Sequence, residues 1–241
     1  MSKTLVIIPT YNEKENIEAI IRAVFSLTMV VDILVVDDNS PDDTANIVRI
    51  LQKDFQCLHL AVRTTKKGLG NSYIHGFKWA LQKEYEYIIE MDADFSHNPK
   101  DLVRLHTACA EHGNDFSIGS RYINNKINVV NWDFKRLLLS YLASKYVKII
   151  TGIPIFDTTA GFVCYHHSVL RDIDLSKIQF TGYAFQIEMK FKAWKKKFKH
   201  KEVSIIFEDR KLGVSKMNSS IIFEAIYGVL KLQFGQLFKK N

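Results

Sequence analysis

Five short apolar runs, separated by four segments of helical period, constrain this chain more than any other feature of its sequence. The runs are Thr4 to Ile8, Val31 to Val36, Leu58 to Val62, Tyr85 to Met91 and Asp115 to Gly119. They are rich in β-branched residues and too short for helices. Between them, helical patterns begin near Lys14, near Asp43, at Leu69 (running to Lys83) and after Pro99. This is the cadence of βαβ units and predicts an α/β chain with a mostly parallel sheet flanked by helices. Ligands of such sheets gather where the strands end.

The later part is less regular. Trp132 to Ile150 and Gly182 to Lys197 read as helices, Val203 to Phe207 as a strand, and Ser219 to Phe238 as a last helix. With 241 residues, 47% of them apolar, the chain is long enough for one full core. We read residues 1–218 as a catalytic domain and 219–241 as a C-terminal amphipathic helix. No internal repeat or low-complexity segment is present.

Polar sequence sits at the strand ends: Pro9-Thr10-Tyr11-Asn12-Glu13, then Asp37-Asp38-Asn39-Ser40-Pro41, then Asp92-Ala93-Asp94. If the strand before Asp92 continues, its alternation sends both aspartates to one side. Two hard anions at one point suit magnesium or manganese, completed by water and phosphate oxygens. The helix after Pro99 has its own candidate caps in Ser96 and Asn98, so the two aspartates are not needed there. Asp37 and Asp38 could serve a nucleotide or an Asx turn into the next helix, one for each purpose.

Lys67-Gly68-Leu69-Gly70 superficially resembles a dinucleotide loop. Tyr73 stands where a third glycine belongs, and the segment does not follow the first strand, so a nicotinamide enzyme is rejected. Arg121, Lys135, Arg136, Arg210 and Lys216 each read singly as surface charges, but as a set they suit two anionic substrates.

An excess of 33 Lys and Arg over 26 Asp and Glu leaves +7, which favours anionic partners. Nucleic acid is excluded because no helix-turn-helix, zinc finger or RNP-type motif is present, and the acidic loops would repel its backbone. Cys57, Cys109 and Cys164 are odd in number and lack metal-site spacing, which fits a reducing compartment. The stretch from Met1 to Pro9 is too short for a signal-peptide core, and Glu224 and Lys231 interrupt the best candidate span. The expected location is the cytoplasm, peripheral at the cytosolic face of a membrane.

The blocks Ile8 to Glu13, Val35 to Pro41, Gly68-Leu69-Gly70, Asp92 to His97 and Gly119-Ser120-Arg121-Tyr122 occur in one order. They are followed by Trp132 to Arg136, Asp157 to Phe162, Gly182 to Phe185, and Arg210 with Lys216 six residues on. In these blocks the chain resembles family 2 glycosyltransferases of the GT-A (Rossmann-like) fold, in their polyprenyl-phosphate mannosyltransferase branch. The resemblance covers nearly the whole chain and implies inverting transfer of mannose from GDP-mannose to a dolichyl-type polyprenyl monophosphate. A polyprenyl-phosphate glucosyltransferase using UDP-glucose is the nearest alternative. A catalytically silent nucleotide-sugar-binding scaffold is the alternative from another class.

Carried over by position, the resemblance implies that Pro9, Tyr11, Glu13, Val36 and Asp38 hold the guanosine. Asp92, Ala93 and Asp94 would meet the ribose, phosphates and metal, Mg2+ or Mn2+, while Arg210 and Lys216 close on the diphosphate. Arg121, Arg136 and Ser140 would receive the acceptor phosphate, and Asp94 and Arg121 are the expected catalytic pair. Asp43 and Ser72 stand where relatives often have Gly and Ala, and Ser96 where some place Gln. Asp157 either orients an acceptor-side cation or caps the turn before Thr158.

The acceptor's isoprenoid tail calls for a membrane surface, alone or with a membrane subunit. In the last helix Glu224, Gly228, Lys231 and Gly235 form a polar stripe opposite Ile222, Phe223, Ile226, Val229, Leu230 and Phe234. Lys239 and Lys240 would favour anionic lipid, and Leu137, Leu138, Tyr141 and Leu142 offer a second contact. Both helices could instead pack on the core.

Overall fold

A computed structural model describes residues 3–64, 68–123, 126–182, 184–210 and 219–235, with the side chains of 219–225 outside the description. Strands and helices alternate as expected: β1 (Thr4–Thr10), α1 (Ile17–Phe25), β2 (Asp32–Asp37), α2 (Thr44–Leu51), β3 (Leu58–Val62), α3 (Leu69–Gln82), β4 (Tyr87–Glu90), α4 (Asp101–Ala110) and β5 (Phe116–Ser120). Three two-residue strands follow, β6 (Tyr122–Ile123), β7 (Lys126–Ile127) and β8 (Val129–Val130), before α5 (Phe134–Thr151). The chain continues through β9 (Val163–His166), α6 (His167–Asp172), α7 (Ala184–Lys195), β10 (His200–Ser204), β11 (Phe207–Glu208) and α8 (Ser219–Phe234).

The central sheet has seven strands in the order β10-β5-β9-β4-β1-β2-β3. All run parallel except β9, which pairs antiparallel with both β4 and β5. Strand alternation explains why the inner strands read as unbroken apolar runs. Leu5, Ile7, Leu34 and Val36 face a core completed by Tyr73 and Phe77 of α3 and Phe185 of α7. Val6, Ile8, Ile33 and Val35 face the opposite core, against Ile17, Ile20 and Val24 of α1, Val48 of α2 and Leu102 of α4. Each such buried side chain is worth about 1.5–3 kcal/mol, which fixes the register of strands whose carboxyl ends carry the polar loops.

The sequence reading overlooked β9 and misplaced one strand. Val203 to Phe207 is broken in the structure: β10 ends at Ser204 alongside β5, and β11 begins at Phe207 and pairs with β8 instead. The antiparallel entry of β9 matters for function. Because Val163 lies opposite Glu90, the segment leading into β9 arrives at the carboxyl ends of β4 and β5.

Gly68 and Gly70 are packing glycines. Gly68 has φ +87°, and a Cβ on Gly70 would lie 2.8 Å from the Phe185 ring. The Gly70 N–H donates to the Thr181 carbonyl at 2.8 Å, so this segment seats α3 on α7. Lys67, Tyr183, Lys216, Lys239 and Lys240 lie outside the described residues.

Helix α8 packs on the domain. Val229 belongs to the main core, and a Cβ on Gly228 would meet the Phe180 ring at 2.8 Å. Gly228 therefore faces inward and is not part of an outward polar stripe. The same helix leaves Ile226, Tyr227, Leu230 and Phe234 exposed, and α5 leaves Phe134, Leu138, Leu139, Leu142 and Ile149 exposed. The Tyr146 hydroxyl donates to the Ile226 carbonyl at 3.1 Å and ties the two helices together.

Candidate active site

The ends of β1 and β2 are joined through Asp37. Its buried carboxylate accepts from Thr10 Oγ1 (2.8 Å), Ser40 Oγ (2.6 Å) and the Ser40 N–H (2.8 Å). Asp37 thus takes the turn role, and neighbouring Asp38 takes another: its Oδ1 accepts from Ser72 Oγ at 3.0 Å and lies 3.3 Å from Arg63 Nη1. Ser72 is thereby a polar link between Asp38 and Arg63, whose Nη1 donates to it at 2.8 Å. Asp43 has φ +73°, in the left-handed region that glycine adopts most readily.

Pro9, Tyr11, Glu13 and Asp38 lie at or just beyond these strand ends. The Glu13 N–H donates to Thr44 Oγ1 at 3.1 Å, and its carboxylate accepts from Asn16 Nδ2 at 3.1 Å. The side chains of Val36 and Ala93 point away from the strand-end surface. Both are buried in the cores, Val36 because strand alternation turns it toward α3.

The two aspartates converge for a reason other than the one the sequence suggested. The strand β4 stops at Glu90, and Asp92 and Asp94 occupy a tight turn in which Phe95 has φ +61°. The Asp92 N–H donates to His97 Nδ1 at 3.1 Å, and the Ser96 N–H donates to Asp94 Oδ1 at 3.1 Å. Ser96 therefore serves Asp94, while Asn98 accepts from the Lys100 N–H at 3.0 Å. Burial pushes the His97 imidazole down to about 4, despite the pull of Asp94. The ring is then neutral, and an accepting Nδ1 places its proton on Nε2.

Asp92 has 37% of its side chain exposed, but that surface opens into a cavity of about 390 Å³. Burial and the charge of Asp94 raise the pKa of Asp92. For Asp94, burial is outweighed by hydrogen bonds from Ser96 and by Arg210, which hold its carboxyl below the usual range. Arg210 Nη2 lies 2.9 Å from Asp94 Oδ2.

The same cavity is lined by Arg121, Arg136 and Ser140. Arg121 is a buried, forked partner of Asp157: Nε donates to Oδ2 and Nη2 to Oδ1, each at 2.7 Å, and the Arg121 N–H adds a third bond at 3.0 Å. Arg121 Nη2 also donates to Thr159 Oγ1 at 2.8 Å. The guanidinium lies 5.2–5.6 Å from the ring centres of Tyr122, Phe207 and Trp132. Of the two roles open to Asp157, its side chain takes the first and orients a cation. That cation lowers its pKa despite full burial.

Arg136 lies over the Trp132 ring at 4.3 Å and pairs with Asp209, a residue the sequence reading did not single out. Lys135 is exposed, and its N–H is taken by the helix-capping Asp133. Sequence reasoning also missed Lys190, whose buried Nζ donates to the Ala160 carbonyl at 2.6 Å and to Gln186 Oε1 at 3.3 Å. Burial lowers the Lys190 ammonium to about 8 and raises the nearby Glu90 carboxyl to about 8, each opposed by the other's charge. In the sequence, Lys190 is one of several lysines on one helix and has no distinguishing signal.

Around the cavity stand four carboxylates, Asp92, Asp94, Asp157 and Asp209, and three guanidinium groups, Arg121, Arg136 and Arg210. Three pairs form, and Asp92 has no Lys or Arg within ion-pair distance among the described residues. The remaining wall is apolar, from Leu139, Leu142, Ala143 and Val147 of α5 and from Ile226 and Val229 of α8.

A family model for glycosyl transferase family 2 matches residues 5–174. The chain is 45% identical over 228 residues to a polyprenol monophosphomannose synthase from Mycolicibacterium smegmatis, covering 94% of this chain and 85% of that protein. It is 40% identical over 229 residues to an undecaprenyl-phosphate mannosyltransferase from Micrococcus luteus, covering 95% and 93%. Among solved structures, glucosyl-3-phosphoglycerate synthase from Mycobacterium tuberculosis superimposes with a TM-score of 0.71 at 13% identity, over 97% of this chain and 80% of that one. The architecture is the GT-A fold expected from the sequence.

Proposed function

The chain belongs to glycosyltransferase family 2, and from that premise we propose that it transfers mannose from GDP-mannose to a polyprenyl monophosphate at the cytosolic face of a membrane. The observation that carries this reading is a single cavity with three kinds of wall. Asp92, Asp94 and Arg210 suit a metal-bound diphosphate, Arg121, Arg136 and Ser140 suit a second phosphate, and the apolar side chains of α5 and α8 suit a hydrocarbon chain. Both relatives are named for mannose and a polyprenyl acceptor, which favours mannose over glucose.

Asp92 and Asp94 would hold Mg2+ or Mn2+, and they fit that task. They crowd each other's charge, and burial together with the charge of Asp94 raises the pKa of Asp92. Two carboxylates, with phosphate oxygens and water, are a common set for these ions. When bound, the ion stabilises negative charge on the departing diphosphate.

Arg210, now on Asp94, is within reach of the same diphosphate and contributes where charge develops. The nucleophile is an oxygen of the acceptor phosphate, mostly ionised at neutral pH because its second pKa is about 6. No general base is required; the protein's task is to position the phosphate, and Arg121 and Arg136 suit it. The new bond forms between that oxygen and the anomeric carbon on the face opposite the diphosphate. The bond from that carbon to the diphosphate oxygen breaks, GDP leaves with the electron pair, and the anomeric centre inverts. Lys216, outside the described residues, is proposed to assist Arg210.

For membrane contact, the exposed apolar residues of α5 and α8 stand beside Lys135, Lys145, Lys148 and Lys231. Among the described residues, no helix is long and apolar enough to cross a membrane. A surface-lying mode, alone or against a membrane subunit, suits these faces.

The test is incubation of the full chain with a polyprenyl phosphate, Mg2+ or Mn2+, and GDP-mannose or UDP-glucose in parallel, with the lipid product identified by mass. Mannosyl lipid from GDP-mannose alone supports the reading, and its anomeric configuration tests inversion. Glucosyl lipid from UDP-glucose alone refutes the sugar assignment, and donor binding without turnover in membrane-like conditions revives the silent scaffold.

A further inference from the structure

Two of the three ion pairs around the cavity differ in a way that bears on how the acceptor enters. Arg121 and Asp157 are fully forked and buried, the geometry of a permanent pair. Arg136 meets Asp209 through one nitrogen only: Nη1 lies 2.9 Å from Oδ1 and 2.8 Å from Oδ2. The side chains of this second pair are 28% and 31% exposed, and Arg136 Nε is buried with no hydrogen-bond partner. A guanidinium held end-on, with a donor unused, has not reached its best anion. The Trp132 face holds the guanidinium plane independently of the carboxylate, so Arg136 stays seated when Asp209 leaves.

Asp209 also has a second bond. Its Oδ1 accepts from the Arg210 N–H at 3.0 Å, and its own N–H donates to the Val130 carbonyl at 3.2 Å. One carboxylate therefore touches the cation expected to receive the acceptor and the main chain of the cation that faces Asp94.

We propose that Asp209 is a displaceable counter-ion of the acceptor site, holding Arg136 until an incoming phosphate takes its place and passing that exchange to Arg210 through the shared Oδ1. This rests on the reading of Arg136 as an acceptor-phosphate ligand. It assigns Asp209 a role in selectivity: an anion must outcompete a carboxylate to enter, which a phosphate dianion does better than a neutral lipid alcohol. Because the exchange alters a bond at Arg210, acceptor and donor affinities are linked, and the linkage is reciprocal.

The test measures binding of farnesyl phosphate to the full chain by calorimetry, in the wild type, Asp209→Asn and Arg136→Met. GDP with Mn2+ is then titrated in the presence and absence of farnesyl phosphate. The expected result is tighter farnesyl phosphate binding in Asp209→Asn, on the order of fivefold for a half-exposed pair removed as competitor. Farnesyl phosphate is also expected to change GDP affinity in the wild type, on the order of fivefold, and to leave it unchanged in Asp209→Asn. Unchanged or weaker binding in Asp209→Asn, with binding lost in Arg136→Met, overturns the counter-ion role and leaves the acceptor site standing. Undiminished binding in Arg136→Met overturns the acceptor assignment and this inference with it. A GDP linkage absent from the wild type, or surviving the substitution, overturns the communication to Arg210.

Discussion

Replacing Asp157 by alanine strands a guanidinium inside the protein. The carboxylate accepts three bonds from Arg121 and one, at 3.3 Å, from Thr159, and has no exposed surface. Breaking a buried pair from one side costs about 3–5 kcal/mol, because the remaining charge is desolvated and unpaired. For a chain of this size, 1 kcal/mol moves Tm by about 2–4 °C, so Asp157→Ala is expected to unfold roughly 6–20 °C lower. Asp157→Asn keeps the shape but turns an amide donor toward guanidinium donors, and a similar loss is expected. The double variant Arg121→Met, Asp157→Leu removes both charges and is expected to recover most of the stability while still failing to bind acceptor.

The pH dependence follows from the sign of the shift. Asp157 has a lower pKa folded than its unfolded value of about 3.9. The pair therefore contributes fully above that value and is lost as pH falls through the folded pKa. The gap in stability between wild type and Asp157→Ala is expected to be constant near neutrality and to shrink only in strong acid. Urea unfolding from neutral pH into acid checks this. A variant within about 2 °C of wild type at neutral pH, or a gap that widens in acid, would refute the reasoning.

Asp92→Asn and Asp94→Asn are each expected to lower turnover on the order of a hundredfold or more, with Mn2+ binding in the presence of GDP, followed by EPR, lost in parallel. Turnover that falls while Mn2+ binding is unchanged would separate these residues from the metal. Gly76→Ala places a Cβ 2.8 Å from Ile7 Cδ1 and Cγ2, so the buried Ile7 side chain or α3 must shift, at about 1–3 kcal/mol in urea unfolding. The double variant Leu138→Asp, Ile149→Asp alters exposed positions of α5 outside the cavity wall; stability should stay within about 0.5 kcal/mol per site, while flotation with anionic vesicles should be lost, and unchanged flotation would take α5 off the membrane.

What was legible in the sequence follows from how each element is buried. The strands β1, β2, β4 and β5 lie between helices on both faces, so they appear as apolar runs that nothing else explains. The strand β9 escaped because it comes from the less regular later part of the chain, outside the strand–helix alternation, and inserts between β4 and β5. Overlooking it hid why Asp157 and Thr159 stand beside Arg121: only an antiparallel strand carries its leading segment to the end where parallel strands finish.

The chemistry was legible where charge stands at a strand end and illegible where charge answers charge. Asp92 and Asp94 drew notice as two carboxylates with no helix to cap. Asp209 did not, because an Asp-Arg step after a strand reads as solvated surface; only in three dimensions does its oxygen meet both Arg136 and the Arg210 N–H. The arrangement that results is self-neutralising. Among the described residues, each guanidinium at the cavity is occupied by a carboxylate of the same chain, and the surplus carboxylate, Asp92, stands where a divalent ion is proposed. Binding by exchange at Arg136 avoids leaving an unpaired guanidinium in an apolar-walled cavity. It also means that affinity for either substrate depends on the protein's own carboxylates as much as on its cations.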